Sequence, residues 1–314
     1  MRRHGIDQSP FCFIESSLLE EINGTKVVLA SEVGPERLRL LAGGAAGIAV
    51  LMFAYREVIS DLWNIWATNQ DYSHGMLVLP FALYLAWRMR KALQGLSPQP
   101  SLAGLGILLG ALALRVAGVQ YYSGFLERLS LVISIWGLVV LLCGWRIARL
   151  MRGPLAFLLL MIPPPNSVAQ AIALPLQRLS AVCSAAVLKV MGWDAVSEGN
   201  VIRLYGQDLE VAAACNGLRM VFAIVTLGCA MAYLARRPRW ERFLVAASSV
   251  PIGVAVNVVR IVATGIVSQV FLGLVSVGRV HDVAGWLMMP VALLVIWWEQ
   301  GVLRSVMVER GPLG

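Results

Sequence analysis

The stretch NSVAQAIALPLQRLSAVCSAAVLKV, residues 166–190, decides how this chain is threaded. It is longer than the roughly 20 apolar residues a helix needs to cross a bilayer's hydrocarbon. It also carries Gln170, Gln177, Arg178 and Lys189, with Pro175 inside it. Those residues predict an amphipathic or re-entrant helix rather than a crossing one. The consequence is global, because one crossing more or fewer inverts every segment downstream.

The surroundings set the class. Of 314 residues, 58% are hydrophobic and only 14% charged, and the mean hydropathy is +0.73, whereas a soluble domain has about a quarter charged residues. The chain is a polytopic membrane protein whose first partner is the lipid bilayer. Its formal charge of +8 belongs to topology, because cations collect in cytoplasmic loops, and it does not argue for nucleic acid. Cysteines at 12, 143, 183, 215 and 229 show no CxxC or Cys/His spacing, so neither a disulfide framework nor a metal site is expected. No Gly-rich phosphate loop, HExxH or GxSxG occurs, and no cofactor is implied. Residues 1–36 are polar and lack the short basic start and apolar core of a cleavable signal, so they are expected to form a cytoplasmic tail.

Apolar runs at about 38–59, 74–91, 102–120, 128–145, 150–165, 212–234, 243–271 and 283–300 give eight expected crossings. With 166–190 held at the interface, seventeen of the 26 Lys and Arg fall on the side of both termini and five on the other. A full crossing by 166–190 would carry RRPRWER, residues 236–242, to the far side and break that bias. The expected fold is therefore an all-α integral membrane protein: about eight transmembrane helices plus one amphipathic or re-entrant helix, both termini cytoplasmic. Residues 37–303 form its membrane domain, and 304–314 a short cytoplasmic tail. This threading puts 191–211, Cys215 and 272–282 together on the non-cytoplasmic side.

Chemistry concentrates there. In EVAAACNGLRMVFAIVTLG, residues 210–228, Cys215 is expected in or near the first turn of a helix, where unpaired N–H groups and the helix dipole favour a thiolate. Arg219, one turn deeper on the same face, lowers a thiol's pKa further. Gly217 leaves room for a peptide, and Asn216 can donate to a developing oxyanion. The alternative for Cys215 is a small apolar filler, as for Cys143 and Cys229. Arg260 stands near the middle of a long apolar run, with Asn257 and Thr264 on its face. An intramembrane arginine costs at least a few kcal/mol and needs a partner, a wet cavity or a substrate. His4 is in the tail, which leaves His74 and His281 as imidazole acids or bases. A thiolate nucleophile, an imidazole for the leaving amine and a cation for the oxyanion make a coherent acyl-transfer set.

With ACNGLR at 214–219, NVVRI at 257–261 and HDVAGW at 281–286, the chain resembles the exosortase/archaeosortase family of multi-spanning prokaryotic membrane proteins. DYSHGMLVLPFALYLAWR at 71–88, MIPPP at 161–165 and EGNVIRL at 198–204 extend the resemblance over about 60–300. It implies a cysteine peptidase or transpeptidase in the cytoplasmic membrane, with its active site on the outer face. Its partners would be the C-terminal sorting signals of exported proteins: a PEP-CTERM-type motif, a transmembrane helix and a basic cluster. By that resemblance Cys215 is the nucleophile, with Arg260 and His281 as its catalytic partners. Asn216, Arg219 and Asn257 would support them, and His74 would be structural or substrate-facing. A second reading is a transporter or assembly factor for anionic lipid-linked surface polysaccharide, with Arg219 and Arg260 binding the head group.

Overall fold

The computed structural model describes residues 35–94, 96–204, 207–210, 217–234, 238–270 and 277–306. Helix α1 (Pro35–Ala54) belongs to one compact unit, and the described residues from Tyr55 onward form a second. The second begins with α2 (Arg56–Thr68), a 3-10 turn (Gln70–Tyr72), α3 (Gly75–Arg88) and the short α4 (Arg90–Gln94). Next come α5 (Ala103–Gln120) and α6 (Gly124–Cys143), packed along each other. They approach so closely that a Cβ on Gly104 would meet the backbone of Leu141. Arg115, inside α5, lies 4.6 Å over the ring of Tyr55, and the Tyr55 hydroxyl bonds Ser134 and Ser130 of α6. This cation–π contact gives a membrane-depth arginine an internal partner.

The sequence expectation changes at the next segment. The run expected to cross at 150–165 is not one helix. It breaks into α7 (Trp145–Leu150), α8 (Arg152–Phe157) and a 3-10 turn (Leu158–Met161). Ten residues, Arg152–Met161, form the apolar helical piece, rising only about 15 Å, half of a bilayer's hydrocarbon. The cause is local: Pro163, Pro164 and Pro165 cannot continue a helix and push each preceding residue into extended backbone.

The segment 166–190, expected to be amphipathic or re-entrant, is one continuous helix. Asn166–Val190 is a single helix, α9, unbroken at Pro175, and it is long and apolar enough to cross a membrane. Its polar residues do not force it to the interface, because Gln177, Ser180 and Ser184 are buried on one face with Ala169, Ala173, Ala181, Ala185 and Leu188. These small residues let α11 (Arg239–Val270) lie close along it.

The all-α expectation fails at 191–211. There the chain forms a three-stranded antiparallel sheet in the order β1 (Ala195–Glu198), β2 (Val201–Leu204), β3 (Gln207–Glu210). Two-residue connections join the strands, and Gly199 takes φ +65°, a region open to glycine and suited to tight hairpins. Ala195, Ile202 and Leu204 pack with Ala181, Ala185 and Leu188 of α9 and with Ile261 and Val262 of α11 in one buried cluster. Asn200 Nδ2, at the first hairpin, donates to Gln177 Oε1 over 3.1 Å. The sheet is therefore bound to α9 from Gln177 to Leu188.

Helices α10 (Gly217–Leu234), α11 and α12 (Val277–Val306) pack together through a second cluster that includes Met220, Ile224, Val256, Ala292 and Ile296. Among the described residues, four helical stretches are long and apolar enough to cross a membrane on their own: Ala103–Gln120, Gly124–Cys143, Asn166–Val190 and Trp240–Val267. Ala42–Ala54 and Arg56–Thr68 reach that standard only when taken together, and α3, α10 and α12 contribute shorter apolar stretches. Large apolar side chains such as Leu77, Leu83, Trp297 and Trp298 point outward. In water these would be a liability, and in lipid they are the expected surface.

Candidate active site at the junction of α9, α10 and α11

Arg260 lies on α11 and is 3% exposed. Its Nη1 reaches the Met220 sulfur of α10 at 3.5 Å, and its carbonyl accepts from Thr264 Oγ1 at 2.8 Å. The guanidinium is thereby turned toward the start of α10. Asn257, one turn before Arg260 and 1% exposed, donates from Nδ2 to Ser180 Oγ of α9 at 3.2 Å. The Asn257 Oδ1 atom and the Ser184 hydroxyl are buried without a hydrogen bond among the described residues. Leaving such groups unmet costs about 1–3 kcal/mol each, so the junction holds hydrogen-bonding capacity that the packing does not use.

Two sequence-expected residues, Cys215 and Asn216, lie outside the described residues. Gly217 is the first described residue of α10, and Arg219 occupies its first turn; His281 falls in the second turn of α12. The structure thus joins Arg260 to the N-terminal end of α10 and Asn257 to α9.

His74 is brought to α10 as well. It stands in the turn ahead of α3, outside the helix, with its ring 6.1 Å from that of Phe222 on α10. Tyr72 stacks on the same ring at 6.3 Å. Phe222 is three residues beyond Arg219, so it lies on the same side of the helix. Burial pushes the His74 imidazole below its usual range, while backbone hydrogen bonds with Asp71 and Leu160 work the other way.

Sequence reasoning missed Ser180 and Ser184. A signal was present, since Gln177, Ser180 and Ser184 recur at helical spacing. The expectation for this segment rests on Gln170, Gln177, Arg178 and Lys189 instead, whereas Gln177, Ser180 and Ser184 line a buried junction.

The model of the transmembrane exosortase family matches residues 66–298, from the last turns of α2 almost to the end of α12. The chain belongs to the transmembrane exosortase family. No curated protein and no solved structure matches it. Within this exosortase the match takes in the broken segment 152–165, α9, the sheet and all three helices of the junction. The segments carrying Ser180, Met220, Asn257 and Arg260 therefore meet around one buried place, although Met220 and Arg260 are 40 positions apart in the chain. The exosortase is a multi-pass membrane protein, and among its described residues no group of His, Cys, Asp or Glu could hold a metal ion.

Proposed function

We propose that this exosortase is a membrane-embedded cysteine peptidase or transpeptidase that cleaves the C-terminal sorting signal of exported proteins. The Cys215 thiolate attacks the scissile carbonyl, and the cation of Arg260 stabilises the tetrahedral oxyanion. His281 gives a proton to the leaving amine as the C–N bond breaks. The resulting thioester is resolved by water or by an acceptor amine, which restores the thiol. Asn216, Arg219 and Asn257 support this set. The observation that carries the reading is Arg260: buried, directed to the end of α10 that follows Cys215, and accompanied by unused hydrogen-bonding groups.

Depth supports it. With the RRPRWER cations on the cytoplasmic side, α11 rises about 30 Å from Trp240 to Arg260, which is the thickness of the hydrocarbon. Arg260 then sits at the outer boundary rather than mid-membrane, next to where a sorting signal leaves lipid. The remaining turns of α11 stand with the sheet on the outer side. Exchanging the expected crossing at 150–165 for one by α9 leaves the number of crossings at eight, so both termini stay cytoplasmic and 191–211 stays outside.

The test is co-expression with an exported protein that carries a Pro-Glu-Pro motif, an apolar helix and a basic tail, followed by mass measurement of its C-terminus. Wild type should yield a shortened product and Cys215→Ala an intact one. Equal processing by both would overturn the nucleophile assignment. A transporter of anionic lipid-linked sugar would instead tolerate Cys215→Ala and fail with Arg260→Ala.

A further inference from the structure

The small sheet beside the junction is not accounted for by the acyl-transfer set, and its hydrogen-bond geometry follows from its register. β1 and β2 are joined through Gly199 and Asn200, with Glu198 opposite Val201. β2 and β3 are joined through positions 205 and 206, with Leu204 opposite Gln207. In a two-residue hairpin the closing pair exchanges both backbone hydrogen bonds, and successive pairs then alternate. Closing at Glu198–Val201 makes Val201 and Arg203 bond to β1, which leaves Ile202 and Leu204 to bond on the other side. Closing at Leu204–Gln207 requires Leu204 and Ile202 to bond to β3. The two hairpins therefore agree without a bulge.

The same alternation fixes the far edge. Gln207 and Leu209 turn their N–H and C=O groups to β2, while Asp208 and Glu210 turn theirs away from the sheet. Among the described residues β3 pairs only with β2. An edge of this kind is a template for another extended backbone. Position matters as well. Glu210 is five residues before Cys215, a span of at most about 18 Å, and a strand added to β3 would run about 4.8 Å from it. A peptide paired there is therefore within about 23 Å of the nucleophile.

We propose that the outer edge of β3 receives the extended segment of the sorting signal by strand addition, through the N–H and C=O groups of Asp208 and Glu210. The inference rests on the peptidase reading and adds how the substrate is held. Backbone pairing secures the peptide in register, independent of most of its side chains. A protease needs this geometry, because a scissile bond folded into a helix has its carbonyl committed to its own backbone. The sheet's anchoring to α9 through Asn200 and Gln177 and through the Ile202–Leu204 cluster holds the edge fixed relative to Arg260.

Two experiments on the full-length protein in lipid test it, both with a synthetic Pro-Glu-Pro-bearing sorting peptide that includes its apolar helix. In the first, wild-type enzyme cleaves peptides N-methylated at one residue at a time between motif and helix. Strand addition predicts loss at every second position, roughly tenfold in kcat/KM for each deleted bond. Loss without that alternation, or no loss, overturns the proposal. In the second, Asp208→Pro removes one outward N–H and leaves the β2–β3 ladder intact, as edge prolines do, while Asp208→Ala keeps the N–H. The proline variant should fall about tenfold below the alanine variant, and equal rates for two folded variants overturn the proposal. The methylated peptides need no variant and decide the matter if Asp208→Pro fails to fold. Cys215→Ala separates the two levels: cleavage by that variant sinks the peptidase reading itself, whereas a dead Cys215→Ala with flat results in both experiments sinks strand addition alone.

Discussion

Replacing Asn257 with leucine should leave the fold about as stable as before and remove most of the activity. Asn257 is 1% exposed and, among the described residues, makes one side-chain hydrogen bond, 3.2 Å to Ser180, while its Oδ1 is buried unmet. Leucine has the same branching at Cγ and the same number of side-chain heavy atoms, and no polar atom. The lost bond costs about 0.6 kcal/mol, the average for side-chain pairs within membrane proteins, and the freed Ser180 hydroxyl can turn to the carbonyl one turn back in α9. Against this, removing an unmet buried oxygen returns about 1–3 kcal/mol. The sum is a change of no more than about 2 kcal/mol, with stabilisation the expected direction. Activity responds differently if the oxygen is reserved for substrate or for the catalytic groups: loss of one preorganised hydrogen-bonding group typically costs 10²–10³ in kcat. The assay pairs thermal unfolding in lipid nanodiscs with the rate of sorting-peptide cleavage. Destabilisation beyond about 3 kcal/mol would refute the packing argument. Wild-type cleavage by a stable Asn257→Leu protein would refute the functional one.

Other outcomes follow from the same contacts. Gly228→Ala should lower the unfolding midpoint by the equivalent of about 1–3 kcal/mol, because the new Cβ would meet the Ser249 side chain where α10 crosses α11; Ser249→Ala should recover part of the loss in the same melting experiment. His74 has a folded pKa depressed by burial, so its contribution is complete above the unfolded value of about 6.5 and is lost as pH falls through the folded value. Wild-type stability should therefore decline on acidification below about pH 6.5, and His74→Gln should flatten that part of the pH–stability curve.

The candidate site was partly legible in sequence for a physical reason. An arginine, an asparagine and a threonine on an apolar helix are anomalies of composition, and composition is local. Arg260 and Asn257 could therefore be named before any partner was known. Ser180 could not, because a serine on a helix gives no sign of whether it faces lipid, water or an asparagine 77 positions away. The sheet carried a stronger signal than was used. Val196, Val201 and Ile202 are β-branched, and Gly-Asn at 199–200 is a hairpin dipeptide. An expectation of helices and loops alone hid it.

The sequence by itself determined that this is a multi-pass helical membrane protein, because transfer of apolar residues to lipid depends on each residue's own chemistry. It also singled out the polar residues that such a protein would not carry without cause. Only the tertiary structure decided between 150–165 and 166–190 as the full-length helix. Both runs are apolar enough, but three prolines end the first after ten helical residues, while the polar side chains of the second are buried against α11 and the sheet. Whether a glutamine or serine in a greasy segment is a fault or a contact depends on what stands opposite, and that partner lies far away along the chain.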